Sequence, residues 1–224
     1  MIATTSVALS YLDTLGEVVR SVPREPLERV LSLLLDARAE GRRVYVMGNG
    51  GSAAIASQFV CNLVKTAQGA GGQPLRAFAL TDNTPSLTAW ANDTAYDQIF
   101  AQQIRALVEP GDVVIAISAS GNSPNVVAGI QAARACGAQV IALLGFDGGR
   151  ALALVDVAIH VPYDNYGLVE DTHMAIGHAL TRALAPSDGR VPVAPSLLEP
   201  ATPPVKEEVA GFVEREAVGG RAGR

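Results

Sequence analysis

Val44-Tyr45-Val46-Met47-Gly48-Asn49-Gly50-Gly51-Ser52 carries an apolar strand into a turn of Gly, Asn and Ser that opens a helix. Such a turn delivers unpaired backbone N–H groups and hydroxyls to one point at the positive end of the following helix, which suits an anion. The pattern recurs where the strand Val113–Ile117 runs into Ser118-Ala119-Ser120-Gly121-Asn122-Ser123, with a third strand between. One loop of this kind is weak evidence. Two are stronger, because in open parallel sheets the ligand crevice lies beyond the carboxyl ends of the strands. The pair reads as a cradle for a phosphate on a small molecule.

Outward from these loops, strand and helix alternate. Apolar positions at helical spacing (Val7, Tyr11, Leu15, Val18, Val19, Val22) predict a helix over 6–22. Pro23 to Pro26 interrupts it before a second helix over 27–40, whose greasy face carries Leu31, Leu34 and Leu35. Further helices are expected at 52–65, 86–91, 95–107, 125–136 and 168–184, and further strands at 75–80, 139–144 and 157–161. Residues 68–73 read as a flexible connection and 145–149 as a glycine turn. The alternation predicts the α/β class: a doubly wound three-layer sandwich with a five-stranded parallel sheet, preceded by two N-terminal helices. Residues 1–186 are expected to form one globular domain and 187–224 a Pro/Ala-rich flexible tail, with room for one short amphipathic helix at 205–218.

With 224 residues, 49% hydrophobic and 17% charged, the chain is long enough for one well-buried domain plus a tail. The net charge of −5 and the scattering of the basic residues argue against nucleic acid or an anionic membrane as partner. No apolar run reaches the roughly twenty residues needed to span a bilayer, and the N-terminus lacks the basic start of a secretory signal. Cys61 and Cys136 fall in apolar helical stretches, suggesting neither a disulfide framework nor a Cys-based zinc site, and Cys61 reads as a small buried hydrophobe. A cytoplasmic location is expected.

Gly48, Gly50 and Ala53 also satisfy the dinucleotide fingerprint, which is the main competing reading. That reading wants an acidic residue at the end of the second strand, where the candidate, Asp82, lies further along in a Thr/Asn/Pro turn. The hydroxyls of Ser118, Ser120 and Ser123 at a second helix start suit a terminal phosphomonoester instead, and a bare tight turn would not need them.

In order along the chain, Gly48–Ser52, Ala91-Asn92-Asp93, Gly111-Asp112, Ile117–Ser123, Asp147-Gly148-Gly149 and the segment 170–178 resemble the sugar isomerase (SIS) domain family. Within it, the chain is similar to the phosphoheptose (sedoheptulose 7-phosphate) isomerases and the closely related initiator-associating proteins, over about residues 6–184. The resemblance implies a flavodoxin-like SIS fold in which Ser118, Ser120 and Ser123 hold phosphate, with Ala119 standing where the family frequently has Thr. It implies that Asn49, Gly50, Gly51 and Ser52, together with Asn92 and Asp93, contact the sugar. It further implies a homo-oligomer, a tetramer or dimer, with sites between subunits.

Aldose–ketose isomerisation needs a base to move a proton between neighbouring carbons, and an acid or metal to serve the oxygens. Family members place a His and a Glu or Asp on the helix after the first loop, where this chain has Gln58 and Asn62. Neither is a base at neutral pH, and amides are poor zinc ligands, so the zinc that the family allows has its expected positions replaced and no metal ligand is assigned. On the last helix Glu170, where the isomerases tend to have Gln, and His178 match site positions and are the candidate catalytic residues. They lie about two turns apart and about 80° around the axis, near enough to line one cleft. His173 matches a His that need not touch substrate. It differs from His178 by about 140°, so an i, i+4 pair of metal-binding histidines is not supported. Asp171 reads as a helix-terminal charge and His160 as structural.

These residues lead to a phosphosugar-binding protein acting as an aldose–ketose isomerase on a sugar phosphate such as sedoheptulose 7-phosphate. A non-catalytic phosphosugar-binding regulator or scaffold, favoured by Gln58 and Asn62, and a dinucleotide-binding enzyme are the competing readings.

Overall fold

The computed structural model describes residues 4–67 and 74–185. The connection expected at 68–73, the tail at 187–224 and its short helix lie outside the described residues. Five parallel strands form one sheet: β1 (Arg43–Gly48), β2 (Arg76–Ala79), β3 (Val113–Ser118), β4 (Gln139–Leu144) and β5 (Val157–His160), in the order β2-β1-β3-β4-β5. The helices are α1 (Thr4–Arg20), α2 (Arg24–Ala39), α3 (Gly51–Lys65), α4 (Thr84–Asp93), α5 (Ile99–Leu107), α6 (Pro124–Ala135), α7 (Gly149–Leu152) and α8 (Tyr166–Leu184). None of the described helices is long and apolar enough to cross a membrane.

The sheet is apolar on both faces because both are covered. Successive side chains of a strand point to opposite faces. Val113, Ile115 and Ile117 of β3 therefore join Phe59 and Leu63 of α3, Leu34 of α2 and Ile176 of α8. Val114 and Ala116 pack instead against Phe100 and Ile104 of α5 and Ile130 of α6. All six positions of β3 are buried, which is why this strand reads as a continuous apolar run.

The chain runs outward from β1 to β2, at one edge of the sheet, then crosses back to place β3 on the other side of β1. The strand that lies between the two loops in sequence is therefore outside them in space, and β1 and β3 are direct neighbours from Val44↔Val113 to Gly48↔Ile117. Their crossovers depart in opposite directions, which opens a crevice at the carboxyl ends of these two strands. Both glycine- and serine-rich loops rise there.

Several boundaries differ from the sequence expectation, each for a local reason. α4 starts at Thr84 because the Asn83 side chain accepts the Ser86 N–H at 3.1 Å and Pro85 stands in the first turn. α8 starts at Tyr166 because Asn165 caps it, accepting from Leu168 N at 3.1 Å. The helix expected at 95–107 is divided into a short 3₁₀ turn, Tyr96–Gln98, and α5, and the glycine turn near 145–149 leads into the one-turn α7. Cys61 is exposed, not buried. The inward stripe of α3 is Ile55, Phe59 and Leu63, and two residues beyond Phe59 is about 200° round the helix, facing solvent.

The Gly111-Asp112 motif is a structural turn. The buried Asp112 carboxylate accepts from Arg43 N at 2.9 Å and from Glu109 N at 3.0 Å, tying the entry of β3 to that of β1. At the outer layer, Tyr11 of α1 donates to Asp171 of α8 at 2.5 Å, so Asp171 anchors a helix pair. That bond to a carboxylate raises the Tyr11 phenol to a pKa of about 12.

Candidate functional site

The first loop leaves β1 at Gly48 and turns through Gly50, whose φ of +53° is a conformation that side chains disfavour, directly into α3. Ala53 N and Ala54 N bond back to Gly50 O at 3.0 and 3.2 Å, so the earlier N–H groups of the first turn face the crevice without an intrahelical partner. The second loop is held largely by its own side chains. Ser118 Oγ accepts from Gly121 N at 3.1 Å, and Ser120 Oγ from Asn122 N at 3.3 Å. Ser123 sits at the N-cap position of α6 yet makes no side-chain capping bond, which keeps its hydroxyl for other use. Behind this loop stands Asp147-Gly148-Gly149. Asp147 Oδ1 accepts from Gly149 N at 3.0 Å, and Ala151 N donates to Gly121 O at 3.0 Å, so this third motif braces the second loop.

Between the loops lies a cavity of about 150 Å³, walled by Asn49 and Ser52 from the first loop, Ser118, Ala119, Ser120 and Ser123 from the second, and Tyr166 and Glu170 from α8. Ile117 closes its floor. Among the described residues no Lys, Arg or His lines it, and the ionisable side chains that do are Glu170 and Tyr166. An anion placed there would be held by neutral hydroxyl and backbone donors and by helix N-termini.

Glu170 packs its carboxylate over Gly51 so closely that a β-carbon at that residue would collide with both carboxylate oxygens. The acid thus occupies the start of α3, where the helix dipole favours negative charge, and leaves the start of α6 to a second anion. Tyr166 is braced by Phe146, at 4.8 Å between ring centroids. Phe146 is itself held at φ +47°, with its carbonyl 3.0 Å from His160 Nε2. His160 is therefore structural, as its position at a strand end suggests.

Other residues singled out in the sequence lie elsewhere. His178 is exposed on α8, about 12 Å along the axis from Glu170, and is not part of the cavity. The angular closeness of the pair does not overcome that axial distance. Asn92 and Asp93 are exposed at the end of α4, outside the cavity, with Asn92 Nδ2 donating to Asp93 Oδ1 at 2.8 Å. Gln58 donates to Asn62 at 3.1 Å along α3. This amide pair does not fit a zinc centre, and among the described residues no group of three or more His, Cys, Asp or Glu could hold a metal ion. Asp82 is engaged by Ser57 and Thr81.

His173, on the buried face of α8 three residues beyond Glu170, is fully buried, and neither of its ring nitrogens makes a hydrogen bond of regular geometry. Burial pushes its pKa down to about 4, which the nearby Leu144 backbone only partly opposes. Tyr166, Tyr96 and Asn125 were not singled out in the sequence. The first was signalled only by the Asn165 cap, which makes it the opening residue of α8 and points it at the carboxyl ends of the strands.

Residues 10–145 match the family model described as SIS domain. A phosphoheptose isomerase from Paramagnetospirillum magneticum is 40% identical, over 76% of this chain and 88% of that protein. Another from Geotalea daltonii is 44% identical, over 76% and 90%. Among solved structures, a phosphoheptose isomerase from Neisseria gonorrhoeae superposes with a TM-score of 0.73 at 33% identity, covering 80% of this chain and 96% of that one. The chain belongs to the SIS domain family, among the phosphoheptose isomerases.

Proposed function

We propose that this protein is an aldose–ketose isomerase acting on a sugar phosphate such as sedoheptulose 7-phosphate. The observation that carries the reading is that the Glu170 carboxylate shares one cavity with Ser118, Ser120 and Ser123. In this reading the phosphate is held at the start of α6 by the serine hydroxyls and the backbone of the second loop. The sugar bends back toward the first loop, with Asn49 to Ser52 along its side and Asn92-Asp93 beyond. Glu170 takes the proton from the carbon next to the carbonyl, giving an enediol, and returns it to the neighbouring carbon. His178 moves the accompanying proton between the two oxygens.

Because His178 lies outside the cavity, it is proposed to serve a site completed where subunits of a homotetramer meet. The exposed Val7, Leu9 and Leu12 on α1, the helix that Tyr11 ties to α8, support such a contact. A cytoplasmic location belongs to the same reading. The residues at Gln58 and Asn62 do not fit zinc, and no step is routed through a metal.

A second reading, a phosphosugar-binding regulator without turnover, is favoured by one observation: Gln58 donates to Asn62, and neither amide offers a base. Purified protein incubated with sedoheptulose 7-phosphate, with and without added zinc, separates the two. Conversion that is lost in Glu170→Gln and in His178→Ala supports the isomerase. Ligand-induced NMR shifts with no product support the regulator.

A further inference from the structure

The side-chain amide of Asn49, at the cavity wall, is engaged by other protein groups. It forms a reciprocal pair with Asn125 near the start of α6: Asn49 Nδ2 donates to Asn125 Oδ1 at 2.8 Å, and Asn125 Nδ2 donates to Asn49 Oδ1 at 2.8 Å. Tyr96 Oη adds a third bond to Asn49 Oδ1 at 3.3 Å. Asn125 is 1% exposed, and its Oδ1 also accepts from Val126 N at 2.9 Å, so it is fixed on its own helix while it grips the loop opposite. An amide offers two donors and two acceptor sites, and these bonds use most of what Asn49 has.

The position of this pair gives it a task. The register of β1 with β3 ends at Gly48↔Ile117, and beyond it the two loops diverge at the crevice. Asn49 is the next residue up. Its partners come from the helix that follows the phosphate cradle and from the turn that follows Asn92-Asp93. One amide thus joins three chain segments that surround the crevice, and the pair is anchored on the buried side by Asn125, while Tyr96 is exposed.

We propose that Asn125 and Tyr96 are positioning residues: by gripping the Asn49 amide from two sides, they set the distance between the first loop, along which the sugar lies, and the phosphate cradle. Asn49 then meets the ligand through its main chain alone. The proposal rests on the phosphosugar reading of the cavity. It separates two properties that a general structural role would change together. Inorganic phosphate, held by the second loop, needs no fixed distance to the first, whereas a sugar phosphate does.

The test is calorimetric titration of wild type, Asn125→Ala, Asn125→Asp and Tyr96→Phe with inorganic phosphate and with sedoheptulose 7-phosphate, beside the amide NMR signals of Gly50, Gly51 and Ser52 in ligand-free protein. In Asn125→Ala the affinity for inorganic phosphate is expected to stay within about twofold, while the preference for the sugar phosphate disappears and kcat falls about 10- to 100-fold, the scale of a small misplacement of reacting groups. The three loop amides are expected to shift or broaden. Asn125→Asp, which keeps an acceptor for Asn49 Nδ2 and Val126 N, should restore part of the preference, and Tyr96→Phe should lose only a few-fold. If Asn125→Ala does not fold, the last two variants carry the same test. Folded variants with wild-type sugar preference and unmoved loop amides overturn the proposal. A wild type that does not prefer the sugar phosphate overturns the functional reading instead, and the loop amides then decide whether Asn125 holds the first loop.

Discussion

The Glu170 carboxylate rests on Gly51, the first residue of α3, with no room for a β-carbon between them. An acid from the last helix is thereby delivered to the start of the helix that follows the first strand, across a crevice whose other wall is built of serines. The contact depends on glycine, because any side chain at position 51 would push the carboxylate aside.

Gly51→Ala should therefore separate stability from function. Alanine favours a helix over glycine by up to about 1 kcal/mol, and the obstacle is the movable end of a side chain, so the melting temperature should hold or rise. Turnover should fall at least about tenfold, on the scale of a displaced catalytic group. Thermal melts and initial rates on the same preparation check it, and a variant that keeps its rate would remove Glu170 from the mechanism.

Two serines of the second loop should respond differently to alanine. Ser123 makes no capping bond, so Ser123→Ala should leave the melting temperature unchanged and weaken inorganic phosphate binding about tenfold or more, the value of a hydrogen bond to a charged group. Ser118 supports Gly121 N, so Ser118→Ala should lower both stability and phosphate affinity. Titration and melts of the two variants side by side read the difference.

Stability should decline in mild acid because of His173. Its folded pKa of about 4 lies below the ordinary value of 6.5, so the unfolded chain takes up the proton first. The neutral, buried imidazole thus contributes its full stabilisation above about pH 6.5, and this is lost progressively as the pH falls toward 4, by an amount on the order of 3 kcal/mol. Urea midpoints between pH 8 and pH 4 should show the decline in wild type and a flatter profile in His173→Leu. Because neither ring nitrogen is well bonded, that variant should be no less stable than wild type at pH 8.

The features legible in sequence are those set by local pattern. Val113–Ile117 declares a strand covered on both faces because every residue is apolar, and Gly48–Ser52 declares a strand-to-helix turn because Gly50 needs its positive φ. The caps Asn83 and Asn165 are local signals of the same kind, and they mark the starts of α4 and α8. The apolar content of α3 carries no direction for Cys61; counting from the buried Phe59 puts the thiol outside. Glu170 and His178 are close in angle on α8, but their separation along the axis leaves only the first in the cavity. The Asn49–Asn125 pair was out of reach: its members are 76 residues apart, and short amides in glycine-rich loops carry no mark of which ones face each other.

The most direct test follows sedoheptulose 7-phosphate by NMR in D₂O with wild type and Glu170→Gln at matched ligand occupancy. Aldose product with solvent deuterium at the carbon that exchanges its proton, formed by wild type and lost in Glu170→Gln, is the predicted result. Ligand binding without product in wild type, or equal rates in the two proteins, would contradict the assignment of Glu170 as the base of an isomerase.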